Sequence, residues 1–154
     1  MRQRKIQFTP QGYQKLQTDF DFLTQKRKGA VVALHTARQM GDLSENGAYK
    51  AARFELSDID RRLRRLTYLL RSGEIAPVKT TSGHAEFGSR VTLVDENKNT
   101  LTFILVEGFE SNPAEEKISL HSPLGRAVSG RKAGDVVTVH APAGQKSYTI
   151  LSIA

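Results

Sequence analysis

The stretch ARQMGDLSENGAYKAAR, Ala37 to Arg53, lies between two long segments of helical periodicity and decides how they are joined. Upstream, Tyr13, Leu16, Phe20, Leu23, Arg27, Ala30, Leu34 and Ala37 follow one another in alternating steps of three and four. That is a heptad seam with one polar intruder. Thr9 and Pro10 suit its start, as cap and first helical residue. Downstream, Tyr49, Ala52, Leu56, Ile59, Leu63, Leu66 and Leu70 repeat the pattern. Gly41 is a natural stop for the first helix. Two heptad helices joined by so short a break fold back antiparallel. The register agrees: Ala37 with Tyr49, Leu34 with Ala52, Ala30 with Leu56, Leu23 with Leu63, Phe20 with Leu66 and Leu16 with Leu70 all have position numbers summing to 86. The expected fold point is therefore residue 43.

About thirty residues of helix make a rod of about 45 Å, with Asp42 and Glu45 at its tip. The seam carries Leu and Phe toward the base and Ala near the turn, which allows close helix approach. Arg27 falls opposite Ile59, beside Asp58 and Asp60, and is expected to fix register at some cost in stability.

Of the net charge of +7, residues 1–75 carry all: 15 Lys and Arg against 8 Asp and Glu, while residues 76–154 hold 8 of each. Such asymmetry points to a nucleic-acid-facing or acidic-partner-facing surface. Arg38 and Arg53 flank the tip and Lys50 lies nearby; few acids other than the tip pair are close, which favours a phosphate-facing role. Arg61, Arg62, Arg64, Arg65 and Arg71 crowd the base of the second helix. Pairing with Asp19 and Asp21 across the hairpin is the competing explanation for that cluster.

Other classes recede. No run approaches the ~18 apolar residues of a membrane span, and MRQRKIQFTPQGY lacks the apolar core of a signal peptide. With no cysteine there is neither a disulfide framework nor a thiolate metal site. A cytoplasmic protein is expected. The four histidines show no metal-ligand spacing.

The second half reads as short strands. Ser72 to Gly88 is rich in Gly, Ser, Thr and Pro and is expected to be a linker with little regular structure. Strand patterns follow at RVTLV from Arg90, LTFILVE from Leu101, KISL from Lys117, VVTVH from Val136 and SYTILSI from Ser147. SPLGRAVSG suits one short helix, with Ser122 as cap, Pro123 first and Gly130 as stop. An α+β chain is expected: a hairpin over 1–75, a linker over 76–88 and a small antiparallel sheet domain with one short helix over 89–154. No catalytic constellation is visible in this half.

Asp42-x-x-Glu45 has two explanations. It has the spacing of a capping box for the second helix, and it has two acids placed to grip a metal ion at the end of a rod. Taken alone the spacing is far more often a cap; at the tip of a basic hairpin, inside GDLSEN, the metal reading wins, with Asp42 serving as a cap in the free protein. ARQMGDLSENGAYKAAR and SPLGRAVSGRKAGDVVTV together resemble the Gre family of bacterial transcript-cleavage factors, GreA and GreB. The likeness covers essentially the whole chain. GDLSEN and AAR look like GreA, SDIDRRLRRLTYL looks closer to GreB, and Gly47 stands where the family more usually has Ala.

The resemblance implies a coiled-coil hairpin followed by an FKBP-like domain, and a monomer that binds the secondary channel of RNA polymerase. It implies that Asp42 and Glu45 complete the polymerase's own site as an accessory, sharing Mg²⁺ that the isolated protein does not hold. By the same resemblance Arg38 and Arg53 would face the extruded RNA 3′ end; from its placement Lys50 is expected beside them, and Ser44 is an auxiliary hydrogen-bonding candidate, though a turn hydroxyl is its commoner explanation. Mg²⁺ rarely sits on two carboxylates alone, so the pair is half a site at best. The nearest alternative is a secondary-channel regulator that does not stimulate cleavage. A peptidyl-prolyl isomerase would need a denser aromatic lining than Phe87, Phe103, Phe109 and Tyr148 offer. A generic nucleic-acid-binding coiled coil would leave the neutral half without a use.

Overall fold

The two heptad seams become two long helices, α1 (Pro10–Arg38) and α2 (Gly47–Ser72). The computed structural model describes residues 5–42, 44–76 and 82–154. Every expected seam position except Arg27 is buried or partly buried, with Leu16, Ala30, Ala37 and Ile59 the most enclosed. Leu69, off the seam by register, is buried as well. Across the hairpin Arg27 Nε meets Asp60 Oδ1 at 2.6 Å and Lys26 Nζ meets Glu55 Oε1 at 3.2 Å. Both pairs are solvent-exposed and screened by water, so they serve register more than stability. Arg27–Asp60 lies one position from the expected pairing axis; the fold point itself, residue 43, is outside the described residues.

Gln11–Gly73 form one compact unit. The other combines the described parts of Met1–Pro10 and Glu74–Ala154. Its small sheet pairs β1 (Ile6–Phe8) with β2 (Gly73–Ile75), neither of which is evident in the sequence. Phe8 is fully buried and its ring lies 4.9 Å from that of Phe109. Thr9 donates its amide to Glu110 Oε1 at 2.9 Å and its hydroxyl to Glu110 Oε2 at 2.6 Å. The first described residues thus belong structurally with the C-terminal half.

The larger sheet contains β3 (Arg90–Asp95), β4 (Thr100–Val106), β5 (Lys117–Ser119), β6 (Val136–Ala141) and β7 (Gly144–Ile153), in spatial order β5-β4-β3-β7-β6. All five expected strands form. Alternation places Val91, Leu93, Phe103, Leu105, Val137, Val139 and Ile150 inward. The sheet is mostly antiparallel, as its strand and turn pattern suggests, and becomes mixed where β5 runs parallel to β4. A parallel neighbour needs a crossover instead of a tight hairpin. Here two 3-10 turns, Gly108–Glu110 and Pro113–Glu115, provide it.

Among its described residues the linker has little regular structure, as expected, yet it is anchored. Residues 77–81 of it lie outside the described set, but Ala76, Ala85 and Phe87 are core residues. The Ala85 amide donates to the Arg131 carbonyl and the Gly88 amide to the Leu105 carbonyl. Small and polar neighbours conceal these anchors from a compositional reading.

The short helix α3 (Pro123–Val128) starts as expected, with Ser122 Oγ accepting from the Gly125 amide at 3.0 Å. Gly130, at φ +77°, follows its end.

Gly47, the first residue of α2, has open space where a Cβ would sit and no positive φ. Gly47→Ala should therefore stabilise the hairpin by about 0.5 kcal/mol, by reducing the freedom of the unfolded chain. Thermal melting followed by helical circular dichroism checks this; a lower midpoint would contradict it.

Candidate functional site

The tip begins where α1 runs out of helix. The Gln39 amide reaches the Thr36 carbonyl at 3.1 Å and the Met40 amide the Ala37 carbonyl at 3.2 Å, tightening the last turn. Gly41 then takes φ +105°, a conformation that glycine adopts without steric cost. Asp42 follows, exposed. Its Oδ1 accepts from the Ser44 amide at 3.0 Å and from the Ser44 hydroxyl at 2.9 Å. Among the described residues its Oδ2 has no partner, and neither does the exposed Glu45 side chain.

These contacts set the charge of Asp42. The Ser44 amide, and after it the Ser44 hydroxyl, hold the Asp42 carboxyl below the ordinary aspartate range. The folded-state value is thus depressed. Its stabilising contribution is present above the unfolded aspartate value and is lost as pH falls through the folded one. Asp42 therefore stays ionised throughout the neutral range. Ser44→Ala keeps the amide donor and removes the hydroxyl, so the titration midpoint of Asp42 should rise toward the ordinary value. Carboxyl-carbon NMR titration reads this, and an Asp42 midpoint at or above the ordinary value in the unsubstituted chain would contradict it.

The cap of α2 differs from expectation. Asp42 does not cap it; Asn46 does, its side chain accepting from the Tyr49 amide at 3.1 Å. A cap must immediately precede the first helical residue, here Gly47, and Asp42 lies too far upstream with Oδ1 already engaged by Ser44.

The basic residues sort into two groups. Arg38 ends α1, its guanidinium carbon 5.8 Å from the centroid of the partly buried Tyr49 ring. That cation–π contact restrains the side chain while leaving its charge exposed. Lys50 and Arg53 are exposed in the opening turns of α2. Among the described residues none of the three forms an ion pair. At the base, Arg61 and Arg62 both pair with Asp58 on their own helix. The competing pairing of the basal arginines with Asp19 and Asp21 does not form among the described residues; Asp21 instead accepts from Gln17 at 3.4 Å.

The hairpin and the sheet unit each have a counterpart in known proteins. The family model described as "Transcription elongation factor, N-terminal" matches residues 6–75, and "Transcription elongation factor, GreA/GreB, C-term" matches residues 80–154. The chain belongs to the GreA/GreB family of transcription elongation factors. It is 39% identical over 153 residues to transcription elongation factor GreA of Neorickettsia sennetsu, covering 97% of this chain and 96% of that one. It is also 39% identical over 151 residues to GreA of Ruegeria pomeroyi, covering 97% of each. The crystal structure of GreA factor homolog 1 of Thermus thermophilus aligns at 26% identity over 98% of this chain and 99% of that one, with a TM-score of 0.46.

In this GreA/GreB-family chain the structure gathers Asp42 with Ser44, and Arg38 with Tyr49. Two contributions are absent from the sequence reading. Asn46 was available to it, since asparagine before a helix is a favoured cap. The ring beneath Arg38 was not: Tyr49 is a seam residue by periodicity, and only the hairpin's closure brings Arg38 over it.

Proposed function

We propose that this chain is an accessory factor of bacterial RNA polymerase. It enters the secondary channel with its hairpin tip and stimulates the polymerase's own hydrolysis of backtracked RNA. The observation that carries the proposal is the state of Asp42. Its carboxylate is exposed and held ionised by Ser44, and its Oδ2 is open among the described residues. Membership of an elongation-factor family supports the setting. Three cations without an ion pair among the described residues, Arg38, Lys50 and Arg53, support contact with the RNA 3′ end.

The residues fit a shared Mg²⁺. Carboxylate oxygens are the ligands that this hard cation prefers. Among the described residues no group of three or more His, Asp or Glu forms a complete site. Asp42 and Glu45 would hold the ion jointly with groups of the polymerase. When bound there, Mg²⁺ supplies Lewis-acid stabilisation of the attacking and leaving oxygens. The chain itself does the rest. Asp42 and Glu45 orient the attacking water, and Ser44 keeps Asp42 in one rotamer. Arg38, Lys50 and Arg53 hold the extruded phosphates. It is not an enzyme alone, and it acts as a monomer in the cytoplasm, where polymerase works. Among the described residues no helix is long and apolar enough to cross a membrane.

The test uses a stalled, backtracked bacterial polymerase complex with 5′-labelled RNA and Mg²⁺. Adding the chain should shorten the RNA from its 3′ end and restore elongation. Binding to polymerase with the RNA left whole would overturn the proposal and favour a channel-binding regulator.

A further inference from the structure

Asn46 makes two bonds that face opposite ways. Its Oδ1 accepts from the Tyr49 amide at 3.1 Å, within α2. Its Nδ2 donates to the Ala37 carbonyl at 2.8 Å, in the last turn of α1. The final carbonyls of one helix and the first amides of the next are groups that intrahelical bonding leaves unsatisfied. A single partly buried side chain serves one of those amides and adds a second donor to the Ala37 carbonyl, which also accepts from the Met40 amide at 3.2 Å. Ala37 is itself only 5% exposed, which places this bond against the seam and not in open solvent.

The two bonds bracket residues 38–45, so both tip acids lie inside the loop that Asn46 closes. Among the described residues no other side chain hydrogen-bonds to both helix ends at the tip. The bonds from Ser44 to Asp42 shape the loop from within but tie it to neither helix. Gly41 precedes the acids at φ +105° and Gly47 follows Asn46 as the first residue of α2. Arg38 over Tyr49 joins the helix ends through a soft contact only.

We propose that Asn46 is a positioning residue for Asp42 and Glu45. Its amide locks the end of α1 to the start of α2 and so presents the two acids in one arrangement to the polymerase. This rests on the tip acids acting as proposed above. Small errors matter there, because misplacing a reacting group by about 1 Å can cost about a hundredfold in rate.

Two substitutions separate positioning from folding. Asn46→Asp keeps a cap oxygen for the Tyr49 amide, replaces the donor to Ala37 with an acceptor, and sets it against that carbonyl. Asn46→Ser also caps well but is too short to reach Ala37. Both keep α2 capped, so the full chain should stay folded, with a melting midpoint lowered by only several degrees for the one lost bond. In the backtracked complex, half-saturation by either variant should stay within about twofold, as for an ordinary surface change. The cleavage rate at saturation should fall about tenfold or more. In the isolated chain, ¹⁵N order parameters at Asp42, Ser44 and Glu45 should drop below about 0.6 while that of Tyr49 stays rigid. Variants that cleave at the parental rate, or a tip as ordered as the parent's, would overturn the positioning role. A parent chain that binds polymerase without cleavage would instead overturn the tip-acid reading, and this shows before any variant is made.

Discussion

Asp42→Asn is expected to slow transcript cleavage in a backtracked polymerase complex by on the order of a hundredfold or more. Binding to polymerase should change by no more than about twofold. The substitution is nearly isosteric. The asparagine carbonyl oxygen can still accept from the Ser44 amide and hydroxyl, so the turn is retained. What disappears is the negative charge and the second carboxylate oxygen, the one without a partner among the described residues. Asp42 is exposed and does not cap α2, so losing its charge, and with it the small stabilisation from Ser44, should lower the melting midpoint only slightly. Glu45→Gln should act in the same direction with a smaller effect. Glu45 has no bracing contact among the described residues and must be ordered on docking, whereas Asp42 is already held by Ser44. Equal cleavage by Asp42→Asn and the parent at saturating factor would exclude a direct role for the tip carboxylate.

The largest structural effect is expected at Gly125. A Cβ there would overlap the Ser119 carbonyl oxygen and lie 2.9 Å from its carbon and 3.0 Å from Leu120 Cα. All three are backbone atoms, so no side chain can swing aside. The same Ser119 carbonyl accepts from the Ser122 hydroxyl at 2.7 Å and the Ser122 amide at 3.0 Å. Moving it disturbs the cap of α3, and α3 carries the fully buried Val128 into the core of the sheet unit. Gly125→Ala should therefore cost about 3 kcal/mol, the upper end of ordinary overpacking. Hydrogen exchange should show lost protection across β5 and α3 with the hairpin amides unchanged. A parental exchange pattern in β5 would show that the close approach is not required.

Much of this architecture is legible in the sequence because it is periodic. The hairpin declares itself through alternating steps of three and four, and the constant pairing sum anticipates Arg27 beside Asp60. The five strands of the larger sheet show the period of two, and Ser122, Pro123 and Gly130 punctuate α3 with side chains of defined capping chemistry. Where periodicity is too short, the reading fails. Ile6–Phe8 offers three residues, too few to distinguish a strand from any apolar turn, although Phe8 becomes fully buried. The parallel course of β5 depends on how the chain crosses between strands, and composition carries no sign of that. Ala85 and Phe87 stand among Gly, Ser and Thr, so their anchoring role appears only when the core is assembled.

The candidate site divides in the same way. Asp42, Glu45, Arg38, Lys50 and Arg53 are evident from charge and placement at a hairpin turn. The cap is not. Asp42, Ser44 and Asn46 all have cap-competent side chains within five positions, and propensity alone does not choose among them. The choice depends on which residue immediately precedes the first helical turn, and backbone geometry gives it to Asn46. The remaining two are left to each other. The serine that braces Asp42 and the asparagine that closes the loop thus follow from the same local outcome.

The most direct measurement is to locate the metal relative to this chain in the working complex. Fe²⁺ replaces Mg²⁺ in the backtracked polymerase complex, peroxide generates hydroxyl radicals at the metal, and cuts in the end-labelled chain are mapped. If Asp42 and Glu45 complete the polymerase's site, cuts should cluster within residues 40–47. They should be absent from the isolated chain and strongly reduced with Asp42→Asn. Active cleavage of the RNA without cuts near the tip would contradict a metal shared with these two acids.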